Sequence, residues 1–163
     1  GKLDGLVHAA GIGPQMPIGF QDSEMVQSVF NINYFSFLEL VKYLSKMKYH
    51  ASPCSIVAIS SISALVGWGG VSAYAGSKGA ISATVRSLAI ELVSKHIRVN
   101  AVCPGHTRTQ MLDIANEQKL LARQPLGIVE PRQVANAVAF LLSDASQFVT
   151  GISLPVDGGY LAQ

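Results

Sequence analysis

Tyr74 and Lys78 stand four residues apart in the stretch "SAYAGSKGA" (72–80). On a helix that spacing puts both side chains on one face. A free phenol, with a pKa near ~10, is a poor acid or base at neutral pH. A neighbouring ammonium favours the phenolate and lowers that value. A tyrosine tuned in this way can give a proton to a carbonyl oxygen or take one from an alcohol. The spacing alone equally suits an ordinary surface pair, so the neighbouring residues carry the argument. Ser61 ends an apolar run upstream, where its hydroxyl could donate to the same carbonyl oxygen. Gly76, Ser77, Gly79 and Ala80 are small and leave the helix face open to a flat ligand. Asn33 sits in an otherwise apolar helical stretch, and a buried amide needs partners.

These residues need a scaffold, and the hydrophobic pattern supplies one. Residues 3–11 ("LDGLVHAAG"), 55–61 ("SIVAISS"), 97–105 ("IRVNAVCPG") and 152–159 ("ISLPVDGG") read as buried strands. Residues 23–49, 72–95 and 131–144 carry helical periodicity, and 106–130 is looser. Ser23 is a candidate N-cap, and Pro131 suits a first helical position. Strands alternating with helices predict a parallel sheet with right-handed crossovers. Ligands of such sheets sit at the carboxyl ends of the strands. Those ends here are Ala10-Gly11, Ser60-Ser61, Pro104-Gly105 and Asp157-Gly158.

Composition narrows the function classes. The chain has 163 residues, enough for one domain with a core, and 49% hydrophobic against 13% charged residues argues for a compact fold. A net charge of +2 gives no reason to expect nucleic acid or a membrane surface as partner. No apolar run reaches the ~18 residues of a membrane span, and there is no basic-then-apolar signal segment. Cys54 and Cys103 belong to no C-x-x-C and read as buried reduced thiols, which suits a cytoplasmic setting. No metal site is expected.

As a set, five stretches closely resemble the short-chain dehydrogenase/reductase family. They are "LVHAAG" (6–11), "FNINYFSF" (30–37), residues 55–80, "IRVNAVCPGHTRTQM" (97–111) and "VTGISLPVDGG" (149–159). The resemblance runs over essentially the whole chain, in the family's order. It implies a three-layer, Rossmann-like, doubly wound α/β fold and a hydride exchanged between NAD or NADP and a carbonyl or secondary alcohol. Tyr74 would be the acid/base, and Lys78 would lower its pKa and hold the nicotinamide ribose. Ser61 would orient the carbonyl, and Asn33 would keep a proton-relaying water. Ala9, Ala10, Gly11, Pro104, Gly105, Thr107 and Thr109 would meet the cofactor. His8 and Ala9 stand where the family usually has asparagine, and Thr107 replaces an aliphatic residue.

The resemblance also implies a small-molecule substrate and a homodimer or homotetramer. Val66, Gly67, Trp68 and residues 110–126, among them Met111, Leu112, Leu120 and Leu121, would wall the substrate. A 3-oxoacyl thioester reductase is the nearest flavour, with sugar and polyol dehydrogenases as other choices in the family.

The family's glycine-rich turn, T-G-x-x-x-G-x-G, is not in this sequence; "GIG" (11–13), "GWGG" (67–70) and "DGG" (157–159) read as plain turns. Residues 1–163 are therefore expected to form one partial domain, from the family's fourth strand to its last, with an unpaired edge at 3–9. Such a chain would be inactive alone. The alternative is a non-catalytic fragment that acts only through subunit interfaces and binds neither NADH nor NADPH. An epimerase or dehydratase sharing Tyr-x-x-x-Lys is the third reading.

Overall fold

The structure is a computed structural model that describes residues 1–110 and 120–163. Four parallel strands form one sheet in the order β1-β2-β3-β4: β1 (Leu3–His8), β2 (His50–Ile59), β3 (Ile97–Pro104) and β4 (Ser153–Val156). Between them run α1 (Ser23–Phe30), α2 (Ser36–Leu44), α3 (Ser72–Leu92) and α4 (Pro131–Leu142).

The central strands are apolar on both sides because both faces are covered. On one face Ile56, Ala58, Val99 and Ala101 pack with Phe37 and Val41 of α2 and Ile81 and Val85 of α3. On the other, Val57 and Val102 meet Val138 and Leu141 of α4. Alternate residues of one strand thus serve opposite layers, which is the period-2 rule applied to a doubly covered sheet. The expected three-layer α/β architecture is present. Strand β1 occupies one edge of the sheet, and Leu3 and Val7 on it are exposed. Cys54 and Cys103 are free and buried. Among the described residues no helix is long and apolar enough to cross a membrane.

Several boundaries differ from the expectation, each for a local reason. The helix expected over 23–49 is broken. After α1 the chain widens into a π-helical turn at Asn31–Phe35 before α2 resumes. Asp22, not Ser23, is the N-cap, its carboxylate accepting from the Met25 N–H at 2.8 Å. Strand β2 begins earlier than residue 55, because Leu3 pairs with His50 across an irregularity before Gly5 meets Ser55. In α4, Pro131 opens the helix, and the Glu130 N–H donates to the Gln133 side chain at 2.7 Å.

Candidate active site

The carboxyl ends of the strands and the first turns of α3 enclose a cavity of about 630 Å³. That volume is typical of a small-molecule site. Ala9, Gly11, Ser61, Tyr74, Lys78, Pro104, Gly105, Thr107 and Thr109 all line it. Ala10 and Asn33 do not. Trp68 and Leu120 reach its wall, whereas Val66, Gly67 and Leu121 do not. Met111 and Leu112 lie outside the described residues.

Each polar group is placed by a specific contact. Ser61 follows β2, and its hydroxyl accepts from the Ser63 N–H at 3.1 Å and lies 3.0 Å from the Ser63 hydroxyl. Ser60, beside it, donates to the Lys78 carbonyl at 2.9 Å and so ties the strand end to α3. The Lys78 side chain is only 3% exposed and donates to the Ile59 carbonyl at 2.8 Å. Its ammonium lies 5.8 Å from the centre of the Tyr74 ring.

Burial drives the electrostatics. It lowers Lys78 from 10.5 to about 8, because a buried ammonium loses its hydration. Burial also raises Tyr74 above the ordinary phenol value, and the neighbouring Ser61 hydroxyl offsets part of that rise. Here the direction differs from the expectation: desolvation outweighs the neighbouring ammonium, and the Tyr74 pKa stands above the ordinary phenol value. The Lys78 charge is drawn back to the Ile59 carbonyl, and desolvation decides the balance.

Asn33 is fully buried inside the π-helical turn. Its carbonyl oxygen accepts from the Ile12 N–H at 2.8 Å. Its amide nitrogen donates to the Ile12 carbonyl at 2.9 Å and to the Ser77 hydroxyl at 2.9 Å. Both amide N–H bonds are therefore made to protein groups. The amide clamps the loop after β1 against α3.

That clamp brings a glycine loop close to the two key side chains. A Cβ at Gly11 would stand 3.2 Å from the Lys78 nitrogen, and one at Gly13 would stand 3.1 Å from the Tyr74 ring. Any larger residue at either position would fill the space beside the pair. Gly105 is tighter still: a Cβ there would meet the Asp157 Cα and the Gln124 side-chain Oε1 at 2.8 Å each.

Three contributors escaped the sequence. His8 is buried, and its Nε2 lies 2.8 Å from the Ser36 hydroxyl, which donates to the Ile32 carbonyl at 2.6 Å. This chain braces the π-helical turn that carries Asn33. Burial, then the Lys78 charge, holds His8 below the usual imidazole value. Gln124 is fully buried and satisfies the His106 N–H at 2.6 Å and the carbonyls of His106 and Gly127. His106 joins Trp68 and Tyr160 in a cluster of rings with centres 5.5–5.9 Å apart. Only an alternating β/α pattern was visible there; the contacts join distant segments.

Known proteins resemble this chain in sequence and fold. A family model described as enoyl-(acyl carrier protein) reductase matches residues 1–161. A cis-4-hydroxycyclohexanecarboxylate dehydrogenase of Sinomonas cyclohexanicum is 38% identical, over 99% of this chain and 67% of its own length. A cyclopentanol dehydrogenase of Comamonas sp. is 39% identical, again over 99% of this chain and 67% of its own. Among solved structures, 4-hydroxyisoleucine dehydrogenase complexed with NADH superposes with a TM-score of 0.90 at 29% identity. It covers 98% of this chain and 70% of that one. With the fold and these relatives in agreement, the chain belongs to the short-chain dehydrogenase/reductase family.

Proposed function

We propose that this chain carries the acid–base centre of a nicotinamide-dependent oxidoreductase that interconverts a secondary alcohol and a ketone. The observation that carries the reading is the convergence of Tyr74, Ser61 and Lys78 on one cavity, with the glycine loop of Gly11 and Gly13 packed against Lys78 and Tyr74. The cavity of about 630 Å³ has the volume of a small-molecule site, and its lining residues suit NAD or NADP. Ala9, Gly11, Pro104, Gly105, Thr107 and Thr109 would hold it, with Ala10 following the same loop. When bound, the nicotinamide gives or takes the hydride.

Within this chain, Tyr74 would hand its proton to the carbonyl oxygen during reduction and receive one from the alcohol during oxidation. Ser61 would donate to the same oxygen and steady its developing charge. Lys78 would hold the ribose and, as an ammonium, favour the Tyr74 phenolate when turned toward it. Asn33 acts as a positioning residue, since its bonds fix Ile12 and Ser77 around Lys78. The NADH named for the solved relatives supports NAD(H). Exposed Leu40, Tyr43 and Ile90 on α2 and α3 support pairing of subunits.

The chain spans about two thirds of the relatives' length, so the test belongs to the complete polypeptide. Titrating NADH should change its fluorescence, and a secondary alcohol with NAD or NADP should yield reduced nicotinamide. Neither binding nor turnover would favour a protein that acts through its surfaces alone.

A further inference from the structure

We propose, resting on that dehydrogenase reading, that Gln124 is a positioning residue that sets the backbone of residues 105–107 for the cofactor, and so governs cofactor affinity more than the chemical step. Gln124 is fully buried. Its Oε1 accepts from the His106 N–H at 2.6 Å, and its Nε2 donates to the carbonyls of His106 at 3.2 Å and Gly127 at 3.0 Å. One acceptor and two donors on a single planar group are what a neutral amide offers. A carboxylate would only accept, and a hydrocarbon would do neither.

These bonds join three segments at the carboxyl ends of β3 and β4. Gly105, His106 and Thr107 follow β3 and line the cavity. A Cβ at Gly105 would stand 2.8 Å from the Gln124 Oε1, and one at Gly158, just after β4, would stand 3.5 Å from its Nε2. The Gly105 N–H donates to the Val156 carbonyl at 2.9 Å, and the Leu126 N–H donates to the Gly158 carbonyl at 3.1 Å. Backbone held this close to the amide must shift when the amide turns away.

The acid–base group is placed by other contacts. The Ser77 hydroxyl donates to the Tyr74 carbonyl, the Ser63 N–H to the Ser61 hydroxyl, and the Lys78 ammonium to the Ile59 carbonyl. Loss of the Gln124 bonds therefore lowers the share of molecules whose residues 105–107 stand ready for the cofactor. Apparent affinity falls by that share, while the occupied site keeps its geometry.

Gln124→Met and Gln124→Glu test this in the complete polypeptide at pH 8. The first removes all three bonds; the second keeps the acceptor for His106 and loses both donors. NADH or NADPH, whichever the parent binds, is titrated by fluorescence, kcat is measured at saturating cofactor, and folding is followed by circular dichroism. We expect the cofactor Kd to rise at least fivefold in each variant and kcat to fall by a smaller factor. A smaller rise in Kd in either folded variant would overturn the proposal and leave the dehydrogenase reading intact. So would a kcat that falls more than Kd rises. Failure of both variants to fold, or fewer folded molecules at an unchanged Kd, would mark a structural role and overturn it too. A parent that binds neither cofactor would remove the underlying reading and this proposal together.

Discussion

Tyr74→Phe should lower kcat by roughly 10²–10⁴-fold, the usual worth of a positioned general acid or base. The substitution removes only the phenolic oxygen. The ring stays, and with it the contact to the Gly13 loop and the face turned to the Lys78 ammonium. Cofactor affinity should therefore hold within about threefold, and the urea midpoint should barely move, since the lost oxygen stabilises chemistry and not packing. Steady-state kinetics together with an NADH titration separate the two effects. A kcat within tenfold of the parent would mean that another group carries the proton.

Lys78→Met should have the largest effect on how stability depends on pH. In the folded chain Lys78 titrates at about 8, against an ordinary lysine value of 10.5. Between those values the unfolded chain holds a proton that the folded chain has released, so this residue makes stability rise with pH across that window. Below about pH 8 both states are protonated and the full burden of burying the ammonium is present. The total is of the order of 3 kcal/mol. Tyr74 and Cys103, both raised by burial, act in the opposite direction at alkaline pH. They remain in the variant, so most of their contribution cancels in the difference between the two proteins, which reports chiefly on Lys78 and the groups coupled to its charge. Urea unfolding from pH 7 to 10.5 should show the parent gaining on the methionine variant as pH rises. Parallel curves would mean that Lys78 keeps its ordinary affinity for protons. Turnover should fall as well, because methionine can neither hold a ribose nor supply a positive charge.

Much of this site was visible in the sequence because the relevant signals are local. Tyr74 and Lys78 share a face by helical spacing alone, and the cavity opens at the strand ends where topology places it. What was not visible depends on contacts between distant segments. Asn33 bonds partners 21 and 44 residues away, and nothing around it announces a π-helical turn. Asp22 and Ser23 are both competent caps, and only backbone geometry chooses between them. Gln124 sits in a segment that reads as loose, yet it turns inward because the backbone of His106 needs partners. The direction of the Tyr74 shift was misjudged for a similar reason. Spacing shows that Lys78 is near, but not that its ammonium points at Ile59.

The most direct test of hydride exchange in this cavity uses an alcohol carrying deuterium on its carbinol carbon. The complete polypeptide is supplied with this alcohol and oxidised nicotinamide, and the products are read by mass spectrometry. Hydride transfer predicts that the label appears in the reduced nicotinamide and not in water, with the hydroxyl proton leaving through Tyr74. Deuterium released to solvent, with no label on the nicotinamide, would show proton abstraction at carbon and contradict the assignment.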